Sequence, residues 1–480
     1  MRSNILKLHQ KLIDCSISFA DHFAHCNKKI EALEGTNTFI TKTLNVHSAQ
    51  YFQEKLNENK NNLLFGIPYT LKDNFATNGI LTTGASKFLQ NFIPPYSSTA
   101  YEILKEKGGV LLGKVNLDEV GMGGTGTYGY NGPVLNIYDH EKETGGSSSG
   151  SVNAVAADCG CFSLGSDTGD SVRRPASFLG VVGYKPSYGL ISRYGVYPFA
   201  PSLDTVGIIA NYVTDVAIVA QELVKFDEKD YTSQKVEDHQ YFDKLEVKTN
   251  LKFNVVKDIE SYMPFETAAA YKKALEEIKK HGHTVTEIEM DWKVAELISA
   301  LYSYFGTAEA LSCWSNLTGI PFGMNFNKDE TGYNNIVYNN RTHGFGPEVI
   351  RRFVIGTYVN EFYRDNEFYF KARRNIKYLC NYYDKMLDNC DALILPSAST
   401  TAPYIKDEGF ADKPTSSLAD DFLQLSNFLG SPSITIPYTF VNKMPFGINI
   451  NTKKFKDQEA LNIALTLEEI FDFRKDSYEK

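Results

Sequence analysis
Apolar residues recur at helical spacing through residues 5–33, at Leu6, Leu12, Ile13, Ile17 and Phe19, which predicts one or two amphipathic packing helices. The rhythm then changes. Residues 63–71 (LLFGIPYTL) form an apolar run with a Gly-Ile-Pro entry, predicting a strand that delivers Lys72, Asp73 and Asn74. Residues 99–107 return to a helical pattern, Gly109 ends it, and residues 110–112 predict a buried strand; such alternation belongs to an α/β sheet. The small apolar residues 152–161 predict a helix with serines 147–151 as caps, and Phe162, Ser163 and Leu164 a short buried strand ending at Gly165.

Later segments repeat the alternation. Residues 214–226 predict an amphipathic helix, and 228–250, charged and poor in aliphatic residues, a surface connection or excursion. Strand, helix and strand are predicted at 251–256, 265–280 and 284–290, with Gly282 near the helix end; this unit either extends the sheet or forms a small lobe. The Tyr- and Phe-rich stretch 358–388 is helical in character and is expected to pack across the sheet. Residues 391–399 and 445–451 predict strands, and 457–471 a closing helix.

Composition narrows the function classes. The 480 residues, 42% hydrophobic and 22% charged, suffice for a large core. A net charge of −9 disfavours a nucleic-acid binder acting alone, because phosphate binding wants a basic surface; any RNA contact is expected through a partner. Seven cysteines, an odd number, suit a reducing compartment, and Cys159 and Cys161 are expected to be small core residues. No export signal and no bilayer-length apolar run is found, so a cytoplasmic protein is expected. His281-Gly282-His283 is too closely spaced for a helical zinc pair and is expected to be a surface turn; no metal is anticipated.

The chemistry concentrates between Gly145 and Pro175. Two serine clusters sit there on glycine-rich turns, and the turn Thr168-Gly169-Asp170-Ser171 would gather several backbone N–H groups in one small volume. No histidine lies in either cluster, yet a serine nucleophile needs a proton acceptor. Lys72 can serve if desolvation brings its pKa from ~10.4 toward neutrality. Gly146-Ser147-Ser148-Ser149-Gly150 also satisfies G-x-S-x-G, but polar and charged residues, not a strand, precede it, so a nucleophile elbow centred on Ser148 is rejected.

These motifs resemble the amidase signature family. GGSSSGS and GSDTGDS match its paired serine motifs, with Ser147 and Ser171 at the family's separation, and GIPYTLKDN matches the strand that ends in its catalytic lysine. The resemblance implies an α/β fold, a large mixed β-sheet covered by helices on both faces, formed as a single domain over residues 1–480. Residues 1–60 would be N-terminal helices and 228–293 a peripheral insertion or lobe. It implies catalysis by Lys72, Ser147 and Ser171, an oxyanion hole from the N–H groups of Thr168, Gly169, Asp170 and Ser171, and a substrate-side loop containing Gly123 and Gly124. The segments KPSYGLISRYG and PSLDTVG are similar to one branch of the family, glutaminase subunits of tRNA-dependent amidotransferases, a carbon–nitrogen ligase activity with glutamine as amido donor.

From that branch, Arg352 is implied for the substrate's α-carboxylate and Asp420, with Asp421 as runner-up, for its α-ammonium. It also implies GatB-like and GatC-like partners in a heterotrimer, ATP and Mg used in the partner, misacylated tRNA (Glu-tRNA(Gln), or Asp-tRNA(Asn)) met through that partner, and no cofactor in this chain. A stand-alone amidase acting on a small amide is the alternative, and a non-catalytic scaffold ranks last. The sequence departs from the family at Asp170 and Ser149, where glycine is usual. Asp170 is expected to point outward, leaving only its amide in the site.

Overall fold
The computed structural model describes residues 2–236, 240–326, 331–362, 367–405 and 417–473, apart from the side chains of residues 46 and 362. Residues 237–239 and 363–366, inside two of the stretches anticipated above, lie outside it. Its strands are β1 (Phe39–Lys42), β2 (Pro68–Lys72), β3 (Val110–Val115), β4 (Phe162–Asp167), β5 (Val182–Lys185), β6 (Thr205–Ala210), β7 (Lys252–Val256), β8 (Thr284–Ile288), β9 (Ala392–Pro396), β10 (Ser433–Val441) and β11 (Met444–Asn451). The helices are α1 (Asn4–Ile13), α2 (Phe19–Ala32), α3 (Ala49–Lys55), α4 (Thr99–Glu106), α5 (Ser149–Ala156), α6 (Arg173–Leu179), α7 (Val213–Leu223) and α8 (Phe265–Lys280). After β8 come α9 (Trp292–Trp314), α10 (Tyr333–Gly344), α11 (Pro347–Thr357), α12 (Glu367–Met386), α13 (Leu418–Asp421), α14 (Leu425–Leu429) and α15 (Asp457–Phe471).

The eleven strands form one mixed sheet in the order β1-β3-β2-β4-β6-β5-β10-β11-β9-β7-β8. β3, β2 and β4 run parallel, as do β9, β7 and β8, while the strands between are antiparallel. Alternation along the strands feeds two cores. On β3, Leu111 joins one apolar cluster while Val110 and Leu112 join another with Phe19, Phe23 and Ile30 of α2. On β6, Val206 and Ile208 share the first cluster with α7 and α8, whereas Ile209 meets Val152 and Val155 of α5 and Ala176 of α6. Helices therefore cover both faces. The β7-α8-β8 unit extends the sheet at one end, resolving the choice between extension and separate lobe in favour of extension.

Three local expectations change. The helix after the first serine cluster begins at Ser149, and its cap residue Ser148 makes no capping hydrogen bond, because the serine side chains are drawn elsewhere. The aromatic helix α12 packs on α9 and α14, not across the sheet. His283 is buried and accepts the Leu251 N–H at 3.1 Å, so only His281 and Gly282 belong to a surface turn.

Candidate active site
β2 carries alternate residues to opposite faces: Tyr69 and Leu71 enter the larger core, and Lys72 emerges beneath α5. Its side chain is fully buried. Nζ lies 2.8 Å from Ser147 Oγ, 3.0 Å from Ser148 Oγ, 2.9 Å from Ser166 Oγ and 3.2 Å from Ser166 O. Burial lowers the Lys72 pKa to about 7, against the opposing pull of Asp118, Asp167 and Asp204.

The surrounding bonds decide where a neutral amine would point its lone pair. Ser166 O can only accept, and Ser148 Oγ donates to that same carbonyl at 3.2 Å. Ser166 Oγ already accepts from Asn74 Nδ2 at 3.0 Å. Ser147 Oγ has no other partner among the described residues. An uncharged Lys72 can thus give its two N–H groups to Ser148 and Ser166 and accept the proton of Ser147.

Ser147 follows a cis peptide from Gly146. A side chain at Gly146 would strike Asp118, its Cβ falling 2.0 Å from Oδ2, so only glycine fits. Asp118 in turn accepts the N–H groups of Gly126 at 3.1 Å and Tyr128 at 3.0 Å, and Gly124 O accepts from Gly146 N at 2.9 Å. This carboxylate fastens the glycine loop, with Gly123 and Gly124, onto the first serine cluster.

The second cluster ends β4. Arg173, fully buried, donates to Asp167 at 2.9 and 3.1 Å, to Gly169 O at 2.6 Å and to Asn427 Oδ1 at 2.7 Å. Burial pushes Asp167 upward, but the Arg173 guanidinium outweighs it and holds the carboxyl below its usual range. Thr168 Oγ1 donates to Asp204 at 2.6 Å. Held from both sides, the N–H groups of Thr168, Gly169, Asp170 and Ser171 find no acceptor among the described residues, the condition for receiving an anionic oxygen. Ser171 is 4% exposed, and its carbonyl accepts from Ser148 N at 3.2 Å, which brings the two clusters together.

A cavity of about 480 Å³ opens beside this turn, reaching Gly169 and Asp170. Gly123 and Gly124 line it, as do Arg352, Asp420 and Asp421. Its walls differ in charge. Glu348, Arg351 and Arg352 of α11 face Glu143, Asp170, Arg174, Asp420 and Asp421. Arg352 gives Nε to Glu348 at 2.8 Å and lies over the Phe199 ring at 5.0 Å, leaving both terminal guanidinium nitrogens without an acceptor among the described residues. Asp420 accepts from Ser399 N at 2.6 Å, Ser399 Oγ at 2.8 Å and Ser417 N at 2.9 Å, the last as part of the capping box of α13.

Asp170 does not point outward. Its side chain is 12% exposed and forms an ion pair with Arg174 at 2.9 Å on the cavity wall. Burial, the larger influence, raises its pKa despite Arg174. The i to i+4 spacing of Asp170 and Arg174 signals such a pair only when the intervening helix is known to begin at Arg173. Sequence reasoning also passed over Ser148 and Ser166 as partners of Lys72, Asp118 as the loop's anchor, and Tyr302, whose ring closes over Gly169. Ser148 and Ser166 flank the motif serines, a usable signal; Tyr302 carries none. Among the described residues no group of three or more His, Cys, Asp or Glu could hold a metal ion, and no helix is long and apolar enough to cross a membrane.

A buried lysine–serine contact, a second glycine-framed serine and a turn of free amides define an amidase-type centre, and the family model described as Amidase matches residues 21–461: the chain belongs to that family. It is similar to GatA, one of the subunits of glutamyl-tRNA(Gln) amidotransferase, from Mycoplasma genitalium, 38% identical over 483 residues that cover 99% of this chain and 100% of that protein. The crystal structure of the same-named protein from Thermotoga maritima matches with a TM-score of 0.71 at 32% identity, covering 84% of this chain and 83% of that one. A crystal structure of an amidase matches with a TM-score of 0.82 at 25% identity, covering 97% and 99%.

Proposed function
We propose that this chain is the glutaminase subunit of a tRNA-dependent amidotransferase, hydrolysing glutamine through a serine acyl-enzyme. The observation that carries the chemistry is the buried Lys72 Nζ at 2.8 Å from Ser147 Oγ, with its pKa brought to about 7. Ser171 Oγ attacks the amide carbonyl, passing its proton to Ser147 as Ser147 passes its own to Lys72. The N–H groups of Thr168, Gly169, Asp170 and Ser171 hold the oxyanion, where each donor contributes about 2.7–4 kcal/mol. Collapse returns the proton to the leaving nitrogen and releases ammonia; water then cleaves the acyl-enzyme and frees glutamate.

The substrate follows from the charge of the cavity and the names of the relatives. Glutamine carries an α-carboxylate and an α-ammonium, which suit the cationic Arg352 on one wall and the acidic opposite wall where Asp420 and Asp421 lie. Gly123 and Gly124 keep that approach open: a Cβ at Gly124 would fall 2.7 Å from Arg174. The relatives' name supports a cytoplasmic assembly with GatB-like and GatC-like partners. There the ammonia is consumed on misacylated Glu-tRNA(Gln) or Asp-tRNA(Asn), with ATP and Mg used by the partner.

Ammonia release from glutamine is the test, measured with the chain alone and with its co-expressed partner subunits. The account expects glutamine to be hydrolysed, Ser171→Ala to be inert, and the ammonia to be coupled to tRNA in the complex. Equal turnover of simple amides and glutamine, with no partner dependence, would instead define a stand-alone amidase.

A further inference from the structure
The carboxylates of the cavity differ in how far their neighbours satisfy them. Glu348 is clasped by Arg351 at 2.7 and 2.8 Å and by Arg352 at 2.8 Å. Asp420 accepts three hydrogen bonds, close to the four that a carboxylate can take. Asp421 takes the Gln424 amide at 3.5 Å. Asp170 stands apart. No described residue donates a hydrogen bond to its carboxylate, and within ion-pair distance only Arg174 Nε reaches it, at Oδ2 and outside hydrogen-bond alignment. Oδ1 is left without a partner on a side chain that is nearly buried and lines the cavity.

Asp170 also precedes Ser171 directly, and its own N–H belongs to the turn proposed to hold the oxyanion. A carboxylate there opposes the negative charge that grows during acylation unless a cation compensates it. Arg174 compensates part of it. A substrate ammonium seated on Oδ1 would complete the compensation and give the carboxylate the charge-assisted hydrogen bond it lacks.

We propose that Asp170 is the residue that selects an α-ammonium group on the substrate, accepting its N–H at Oδ1 while Arg352 holds the α-carboxylate across the cavity. Asp420, already bonded to Ser399 and Ser417, then shapes this wall instead of receiving the ammonium. The proposal rests on the reading of the chain as a glutamine amidase. It assigns Asp170 two effects: glutamine binds better than its des-amino analogue, and it also reacts faster, because the analogue leaves the carboxylate uncompensated beside the oxyanion.

The test compares kcat and KM for glutamine and for 5-amino-5-oxopentanoate, the same molecule without the α-amino group, in the parent, Asp170→Asn, Asp170→Gly and Asp421→Asn. The parent should prefer glutamine in kcat/KM by roughly 10- to 100-fold, the range of one hydrogen bond to a charged group. Both Asp170 variants should lose most of that preference, with part of the change arising from a higher kcat on the analogue. Two replacements are used so that one misfolding variant does not decide the matter. Retention of the preference in a folded Asp170 variant overturns the proposal, and its loss in Asp421→Asn alone moves the ammonium site to Asp421. If the parent releases no ammonia from glutamine, even with its partner subunits, yet hydrolyses simple amides, the glutamine reading fails and the proposal with it.

Discussion

The inner and outer ends of the cavity hold their polar groups by opposite means. At the inner end, Lys72 is buried among hydroxyls and a carbonyl with no carboxylate in contact, so burial sets its pKa at about 7. At the outer end, every arginine is paired: Arg174 with Asp170, and Arg351 and Arg352 with Glu348. Uncompensated burial makes a base that can change protonation near neutrality. Compensated charges stay ionised and recognise a charged ligand. The inner end should therefore govern kcat and its pH dependence, and the outer end KM.

The largest expected effect is at Ser171. Ser171→Ala should abolish glutamine hydrolysis, a loss of about 10^6-fold if the three groups act as a unit in the way serine hydrolase triads do. Single-turnover release of ammonia measures it, and residual activity within a hundredfold of the parent would place the nucleophile elsewhere. Lys72→Met should cost about 10^2- to 10^4-fold in kcat, the usual range for a general base. It should also remove the rise in the parent's rate through a pH of about 7.

The same lysine makes a stability prediction of definite sign. Its folded pKa of about 7 lies below the ordinary 10.5, so between these values the unfolded chain holds a proton that the folded chain has lost. Its contribution to stability is therefore absent below pH 7 and gained as pH rises toward 10.5. Denaturant unfolding of the parent relative to Lys72→Met should improve across that window, by up to ~1.4 kcal/mol per pH unit. A difference that is flat with pH would mean that Lys72 is charged in the fold.

Smaller effects belong to the outer end. Arg352→Ala should raise KM for glutamine by roughly 10- to 100-fold while leaving the pH profile of kcat in place, the cost of hydrogen bonds to a charged group. A shift of that profile would erase the distinction between the two ends. Asp420→Ala should act mainly on stability, by about 1 kcal/mol, since its carboxylate closes the capping box of α13 and anchors Ser399. Thermal unfolding and KM measured on the same variant separate the two roles.

The two ends also differ in how much of them the sequence disclosed. Lys72, Ser147 and Ser171 sit at strand ends and on glycine turns whose local patterns are visible in a single chain, and the structure gathers those residues around β2 and β4. The strand and helix succession was equally legible, including α8 and α15 with the boundaries anticipated for them. Strand order was not, because pairing β5 with β10, or β9 with β7, joins segments far apart in sequence. Recognition at the outer end has the same non-local character. Whether Asp420 is committed depends on Ser399 and Ser417, and whether Asp170 faces solvent or the cavity depends on where α6 begins. Ser148 fails the one motif it matches in sequence; its actual place, bonded to Lys72, follows only from the path of the chain around Gly146.

The account stands on Lys72 being an uncharged amine at neutral pH, which lysine side-chain NMR measures directly as the titration of its Cε and Nζ signals. Two buried lysines should titrate low, since burial, aided by Arg173, also brings Lys185 to about 7, so the Lys72 signal is assigned as the one absent from Lys72→Met. The account predicts a midpoint for that signal near the rise in the rate, at about 7. A midpoint above 10 would show a charged lysine, and the proton path from Ser171 through Ser147 would have no acceptor.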